Sequence, residues 1–155
     1  MKFKTQIIAG LLMVCFAGSA SAAEQADPRY VIKGGEVYDK TTGLTWQRCS
    51  VGKQWKKDVG CVGIVKTFTF DQAQQQGKGE WRVPRKEELE SLIKHERAYG
   101  KQKPTIDEDA FPDAKDAYTY WTSTPVWAVF FAIGEASNHD VRSGAFAVRL
   151  ARSGQ

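Results

Sequence analysis

Cys49 and Cys61 stand twelve positions apart, with lysines and a tryptophan between them. That spacing is not the C-x-x-C of a thiol oxidoreductase, and two thiols with no nearby histidine make a poor zinc site. The expected chemistry is a structural disulfide, which for a loop of this length contributes roughly 3 kcal/mol by restricting the unfolded chain. In and beside that loop, Arg48, Lys53, Lys56 and Lys57 gather near Trp55, and Lys66 follows. Cations next to an aromatic ring suit a sulfated or phosphorylated glycan, through charge pairing together with ring stacking. The same composition also makes an ordinary solubilising loop. Asn138, His139 and Asp140 form a second polar cluster, with Arg142 close behind. Its oxygens could ligate Ca2+, but a solvated turn is expected. Asp107, Glu108, Asp109, Asp113 and Asp116 could include a hydrolase pair, but are expected to form a solvated acidic loop. His95, beside Glu96, is expected on an exposed helix surface. No nucleophile and base stand out as a set, so no catalytic residue, metal or cofactor is expected.

These groups belong to a chain that begins like an exported protein. Lys2 and Lys4 precede an apolar run of 11 residues over 7–17, too short to cross a bilayer as a helix. Ala20-Ser21-Ala22 is a small-x-small cleavage site, so a signal peptide is expected over 1–22 and a mature chain from Ala23. An uncleaved anchor fits less well because the run is short, and lipidation at Cys15 because bulky Val14 precedes it. Cleavage leaves 133 residues, enough for one domain with a real core. It removes Cys15, leaving Cys49 and Cys61 as an even pair in an oxidising compartment. Without Lys2 and Lys4 the net charge falls from +4 to +2. So balanced a charge, outside the cytoplasm, speaks against nucleic acid as a partner. No later apolar stretch suggests membrane insertion after cleavage. Periplasm and extracellular space share this signal.

The positioning elements are legible in outline. Residues 23–36 read as a lead-in and 37–152 as the domain. Val37-Tyr38-Asp39 and Leu44-Thr45-Trp46-Gln47 flank a turn opened by Asp39 and closed by Gly43, which predicts a β-hairpin. Residues 50–66 read as a loop. Thr69 and Gln72 have capping-box spacing, predicting a helix over 70–76 that Gly77 and Gly79 end. Trp81 to Pro84 should be extended. Leu89, Leu92 and Ile93 share one face of a helix expected over 85–96. Residues 100–117 read as a long ordered loop. Strands are expected over 118–124 and 126–133, the latter central and buried on both faces. A polar loop over 134–144 and a last strand over 145–151 follow, with Phe146, Val148 and Leu150 facing inward. This order makes an α+β domain.

One ordered series spans nearly all of it. Gly43-Leu44-Thr45-Trp46-Gln47-Arg48-Cys49 and Cys61 are followed by Phe70, Gln72-Ala73, Trp81-Arg82-Val83-Pro84, Lys86-Glu87-Glu88-Leu89 and Leu92-Ile93. Ile106-Asp107, Ala110-Phe111-Pro112, Tyr120-Trp121-Thr122-Ser123-Thr124 and Val148-Arg149-Leu150 close it. The series resembles the C-terminal domain family of the Legionella collagen-like adhesin, over about 37–152. The resemblance implies a C-type-lectin-like fold, similar also to formylglycine-generating enzymes. Such a fold has two helices on a mixed, mainly antiparallel twisted sheet with long loops and, here, one disulfide. The namesake adhesin is implicated in binding glycosaminoglycans, but this chain has no Gly-x-y repeat. It also has no cysteine after Cys61 for formylglycine chemistry, and lacks the Glu-Pro-Asn and Trp-Asn-Asp signatures of calcium-dependent sugar-binding lectins. Trp46, Trp81, Arg82, Pro84, Leu89 and Trp121 read as structural members of the series. The large indoles suit a small core, and the arginine suits loop carbonyls or a carboxylate.

The expected function is that of an exported, non-catalytic, lectin-like binding module. Its partner would be an envelope or extracellular glycan, anionic or otherwise, or a protein. The competing readings are a periplasmic inhibitor or immunity-type partner and, behind it, a hydrolase.

Overall fold

The computed structural model describes residues 27–97 and 104–154. The expected signal peptide over 1–22, the start of the 23–36 lead-in and the opening of the 100–117 loop lie outside the described residues. Three antiparallel sheets and two short helices make up the rest. The first sheet joins β1 (Tyr30–Lys33), β2 (Glu36–Asp39), β3 (Leu44–Gln47) and β9 (Ala151–Ser153), in the order β1-β2-β3-β9. The β2–β3 hairpin has the expected turn. The Asp39 carboxylate accepts the Thr41 N–H at 3.0 Å and the Thr42 hydroxyl at 2.8 Å, and Gly43 sits at φ +71°. β1 falls inside the stretch read as lead-in. As an edge strand it buries only Tyr30 of its four residues, so it lacks the alternation that would have marked it.

Other expectations need correction. The 50–66 loop is a hairpin of β4 (Lys53–Lys56) and β5 (Gly60–Gly63). The helix expected over 70–76 is α1 (Phe70–Gln74); both capping-box bonds form, Gln72 N–H to Thr69 and Thr69 N–H to Gln72. The helix expected over 85–96 stops early, as α2 (Lys86–Glu90). The Ser91 hydroxyl donates to the Glu88 carbonyl at 2.7 Å, and the Leu92 and Ile93 amides reach back only three residues. This tightened turn buries Leu92 and Ile93, and a 3-10 turn at His95–Arg97 follows.

The third sheet is β6 (Thr119–Trp121), β7 (Ala128–Phe130) and β8 (Glu135–Ser137), with β7 central as expected. The strands are shorter than the sequence suggests, and β8 lies in the stretch read as polar loop. Ala132 and Ile133 are exposed, because the chain turns there. The last strand begins only at Ala151. Residues 147–151 are buried without interruption, Ala147 and Arg149 as well as Val148 and Leu150, so no outward face exists there.

One core cluster holds Val37, Trp46, Leu89, Leu92, Phe111 and Phe131; the other, under α1, holds Ala73, Val83, Trp121 and Val148. The Trp121 indole N–H donates to the Phe68 carbonyl at 2.7 Å, whereas Trp46 Nε1 finds no partner among the described residues. No described helix is long and apolar enough to cross a membrane.

Candidate functional site

The disulfide between Cys49 and Cys61 is formed, with Cα atoms 5.5 Å apart. Cys61 lies directly opposite Trp55 in the β4–β5 register, so the bridge fixes the strand pair that carries the indole. Arg48, next to Cys49, supports the same ring. Its guanidinium sits 4.2 Å from the Trp55 ring centroid. It donates to the carbonyls of Gly34 at 3.0 Å, Ala110 at 3.0 Å and Asp109 at 2.6 Å. Burial lowers the Arg48 pKa, with Asp109 opposing, yet a guanidinium so placed stays charged. Arg48 thus works inward, bracing Trp55, and is not an exposed member of a basic patch.

Trp81 arrives from a different segment. Its neighbour Arg82 exchanges both backbone hydrogen bonds with Ala151, at 2.9 and 3.0 Å, which docks the segment on the edge of the first sheet. The Arg82 side chain grips Glu88 with both terminal nitrogens, at 2.7 and 2.8 Å. Burial raises the Glu88 pKa, but Arg82 and the Arg85 N–H outweigh it and hold the carboxyl below its ordinary value. The Arg152 guanidinium lies 5.3 Å from the Trp81 ring and donates to Glu36 at 2.9 Å.

Trp55 and Trp81, both half-buried, line one open cleft of about 560 Å3. Gln47, Gln54, Lys33, Glu36 and Lys53 line it with them, and Cys49 and Gly35 contribute. Aromatic walls with a few planar amides and charges suit a ring-bearing polar ligand. The sequence reads Trp81 as structural, and the structure places it also on the wall of this cleft. The signal that could have marked it is the strand alternation that turns Lys33, Glu36 and Gln47 to the same outer face beside it.

The other candidate residues are scattered. Lys53 pairs with Asp116. Lys56 and Lys57 are exposed at the far end of the β4–β5 hairpin, with no carboxylate partner among the described residues. Asn138, His139, Asp140 and Arg142 are exposed, and none lines the cleft. Among the described residues no three His, Cys, Asp or Glu side chains converge as a metal ion would require.

The acidic loop is not uniformly solvated, which corrects the sequence expectation. Asp107 and Asp113 are buried. Lys94 donates to Asp107 at 2.5 Å and the Ala110 N–H at 2.8 Å. Asp113 meets Arg149 at 2.5 Å and the Ser50 N–H at 2.6 Å. Burial drives both carboxyls up, but these donors prevail and hold them below the ordinary range. A carboxylate fixed in this way is a poor general acid near neutral pH. In the sequence Arg149 stands only as part of the Val148-Arg149-Leu150 motif, and nothing local marks it as the charged centre of the core.

A disulfide-tied, mainly antiparallel domain that holds two tryptophans over an open polar cleft is the class of protein these features define. The family model of the Lcl C-terminal domain matches residues 35–152, and the chain belongs to that family. Comparison with curated proteins and with solved structures returned no match.

Proposed function

We propose that this protein is an exported, non-catalytic, lectin-like binding module whose Trp55–Trp81 cleft takes a glycan of the cell envelope or its surroundings. The observation that carries the reading is the pairing of two half-buried indoles, from separate segments, over one open cleft floored by Gln47, Glu36 and Lys33. Sugar rings present apolar faces that stack on indoles, while their hydroxyls exchange hydrogen bonds with amides and charged groups. Arg48 and Arg152 lie against the two indoles and hold them in place, so little side-chain freedom remains to be lost on binding. The exposed Lys56 and Lys57 add a salt-dependent attraction for anionic polymers. The disulfide supports export, since such bridges persist in oxidising compartments. The adhesin resemblance supports a surface-binding role. The ion-paired state of Asp107 and Asp113 supports a role without catalysis.

The test is a glycan array probed with the oxidised chain from Ala23, followed by titration of the best ligand. Saturable binding is expected, weakened more than about tenfold in Trp55→Ala and in Trp81→Ala, as for buried aromatic anchors. A blank array from a folded sample would overturn the glycan reading and favour a protein partner.

A further inference from the structure

The Trp55–Trp81 cleft does not end at its own rim. On the outer face of the first sheet, Lys33, Glu36 and Gln47 stand opposite one another on β1, β2 and β3, and all three line the cleft. Two residues along the strands, Val31, Tyr38, Thr45 and Arg152 form the next row. That row lines a second, smaller trough of about 150 Å3, whose other lining residues are Lys33 and Glu36. The two hollows therefore meet at Lys33 and Glu36. Rows two residues apart are separated by about 6.8 Å, and neighbouring strands by about 4.8 Å, so the joined surface spans two rows across the first sheet.

The second trough repeats the chemistry of the first. Tyr38 offers a half-buried ring with a hydroxyl, and Val31 is 47% exposed beside it. Arg152 lines the trough, donates to Glu36 at the junction and lies against Trp81, a wall of the first cleft. At the junction, Lys33 is exposed, with no carboxylate partner among the described residues, whereas Arg152 already engages Glu36. That leaves one uncompensated cation where the hollows meet.

We propose that Val31, Tyr38 and Arg152 form a second subsite, and that the ligand is a linear polysaccharide held along its length, crossing Lys33 between the two hollows. This rests on the glycan reading of the Trp55–Trp81 cleft. The occupant follows from continuity, because a chain stacked on Trp55 and Trp81 and extended past Glu36 runs onto Tyr38. It also follows from charge, because an acidic group on such a chain would face Lys33.

The experiment measures tryptophan-fluorescence titrations of the oxidised chain with heparin-derived and chitin-derived di-, tetra-, hexa- and octasaccharides. Affinity is expected to rise at least about tenfold from disaccharide to hexasaccharide and then level off. Tyr38→Ala should remove that gain while disaccharide affinity stays within about twofold. Val31→Glu, at an exposed site the core does not need, should do the same and more strongly for the sulfated series. Lys33→Ala should reduce the gain for the sulfated series alone. Affinity independent of chain length, or equal losses at every length in both Tyr38→Ala and Val31→Glu, would overturn the second subsite and leave the first cleft standing. No titration with any oligosaccharide, in a chain whose disulfide is intact, would overturn both.

Discussion

The Arg149 guanidinium meets the Asp113 carboxylate at 2.5 Å, and neither side chain reaches solvent. Arg149 also donates to the carbonyls of Gln47 at 3.0 Å and Arg48 at 2.6 Å, and to the Ser50 hydroxyl at 3.0 Å. Ser50 Oγ shares a 2.8 Å hydrogen bond with the Tyr120 hydroxyl, and the Ser50 N–H donates to Asp113. One buried ion pair thus binds the acidic loop, the segment leading to the disulfide and the third sheet. Removing either partner leaves an uncompensated charge in the core, at a cost of about 3–5 kcal/mol. Asp113→Ala and Arg149→Ala should each lower the unfolding free energy in urea by about that amount. Losses below about 1 kcal/mol would mean that water reaches the pair.

The same pair sets the response to acid. Burial raises the Asp113 pKa, but Arg149 and Ser50 more than offset it, so the folded value lies below the unfolded one. Asp39 follows the same logic: burial raises it, and Arg29, Thr42 and Thr41 bring it down. Asp107 and Glu88 behave alike. A carboxyl depressed on folding contributes stability above its unfolded pKa, near 4, and loses it as pH falls through the folded value. The urea midpoint should therefore hold from neutral pH to about pH 5 and drop steeply below about pH 4. A midpoint that rises on acidification would contradict the assignment of these carboxylates as charged partners.

How much of this was legible depended on the range of the interaction. The turn at Asp39 and Gly43, the capping box at Thr69 and Gln72, and the Cys49–Cys61 pair are local or combinatorially simple, and each appears in the structure as read. The β4–β5 hairpin was hidden because its outward positions carry Gln54 and Lys56 and its second strand begins and ends in glycine, so neither strand shows an apolar period. Arg149 and Asp113 lie far apart in sequence, and nothing local announces that they meet. Arg48 was read as a surface cation because its charge is visible in the sequence and its three carbonyl partners are not. Half of the cleft was visible in Trp55. The other half needed the sheet register that brings Trp81 to Gln47 and Glu36.

The disulfide should matter more to the cleft than to the core. The β4–β5 hairpin has no fully buried residue, so Trp55 is held by the bridge, by Arg48 and by contacts such as the Lys53–Asp116 pair, not by a core of its own. Cys49→Ser/Cys61→Ser should lose about 2–4 kcal/mol of stability, as expected for a released loop. At temperatures where that variant is still folded, its tryptophan emission should shift to the red. An unchanged spectrum would show that the indole keeps its place without the bridge.

Two glycines should separate folding from the cleft. Gly43 closes the β2–β3 turn at φ +71°, and a Cβ there would meet nothing within 4 Å, so its requirement is conformational only. Gly43→Ala should cost about 1–2 kcal/mol, the penalty of a left-handed backbone for an L-residue, and leave the cleft alone. Gly35 is different, because a Cβ there would stand 2.8 Å from Trp55 Cβ and 3.1 Å from Cγ. The Trp55 Cβ is fixed to the backbone of β4 and cannot swing aside, while the Gly35 carbonyl is itself held by the Arg48 N–H at 3.0 Å. Gly35→Ala should therefore push the indole out of the cleft, shifting tryptophan emission and weakening glycan binding by more than about tenfold. Gly43→Ala should lower the urea midpoint with glycan affinity unchanged. Equal effects of both substitutions on affinity would mean that binding reads global stability and not the position of Trp55.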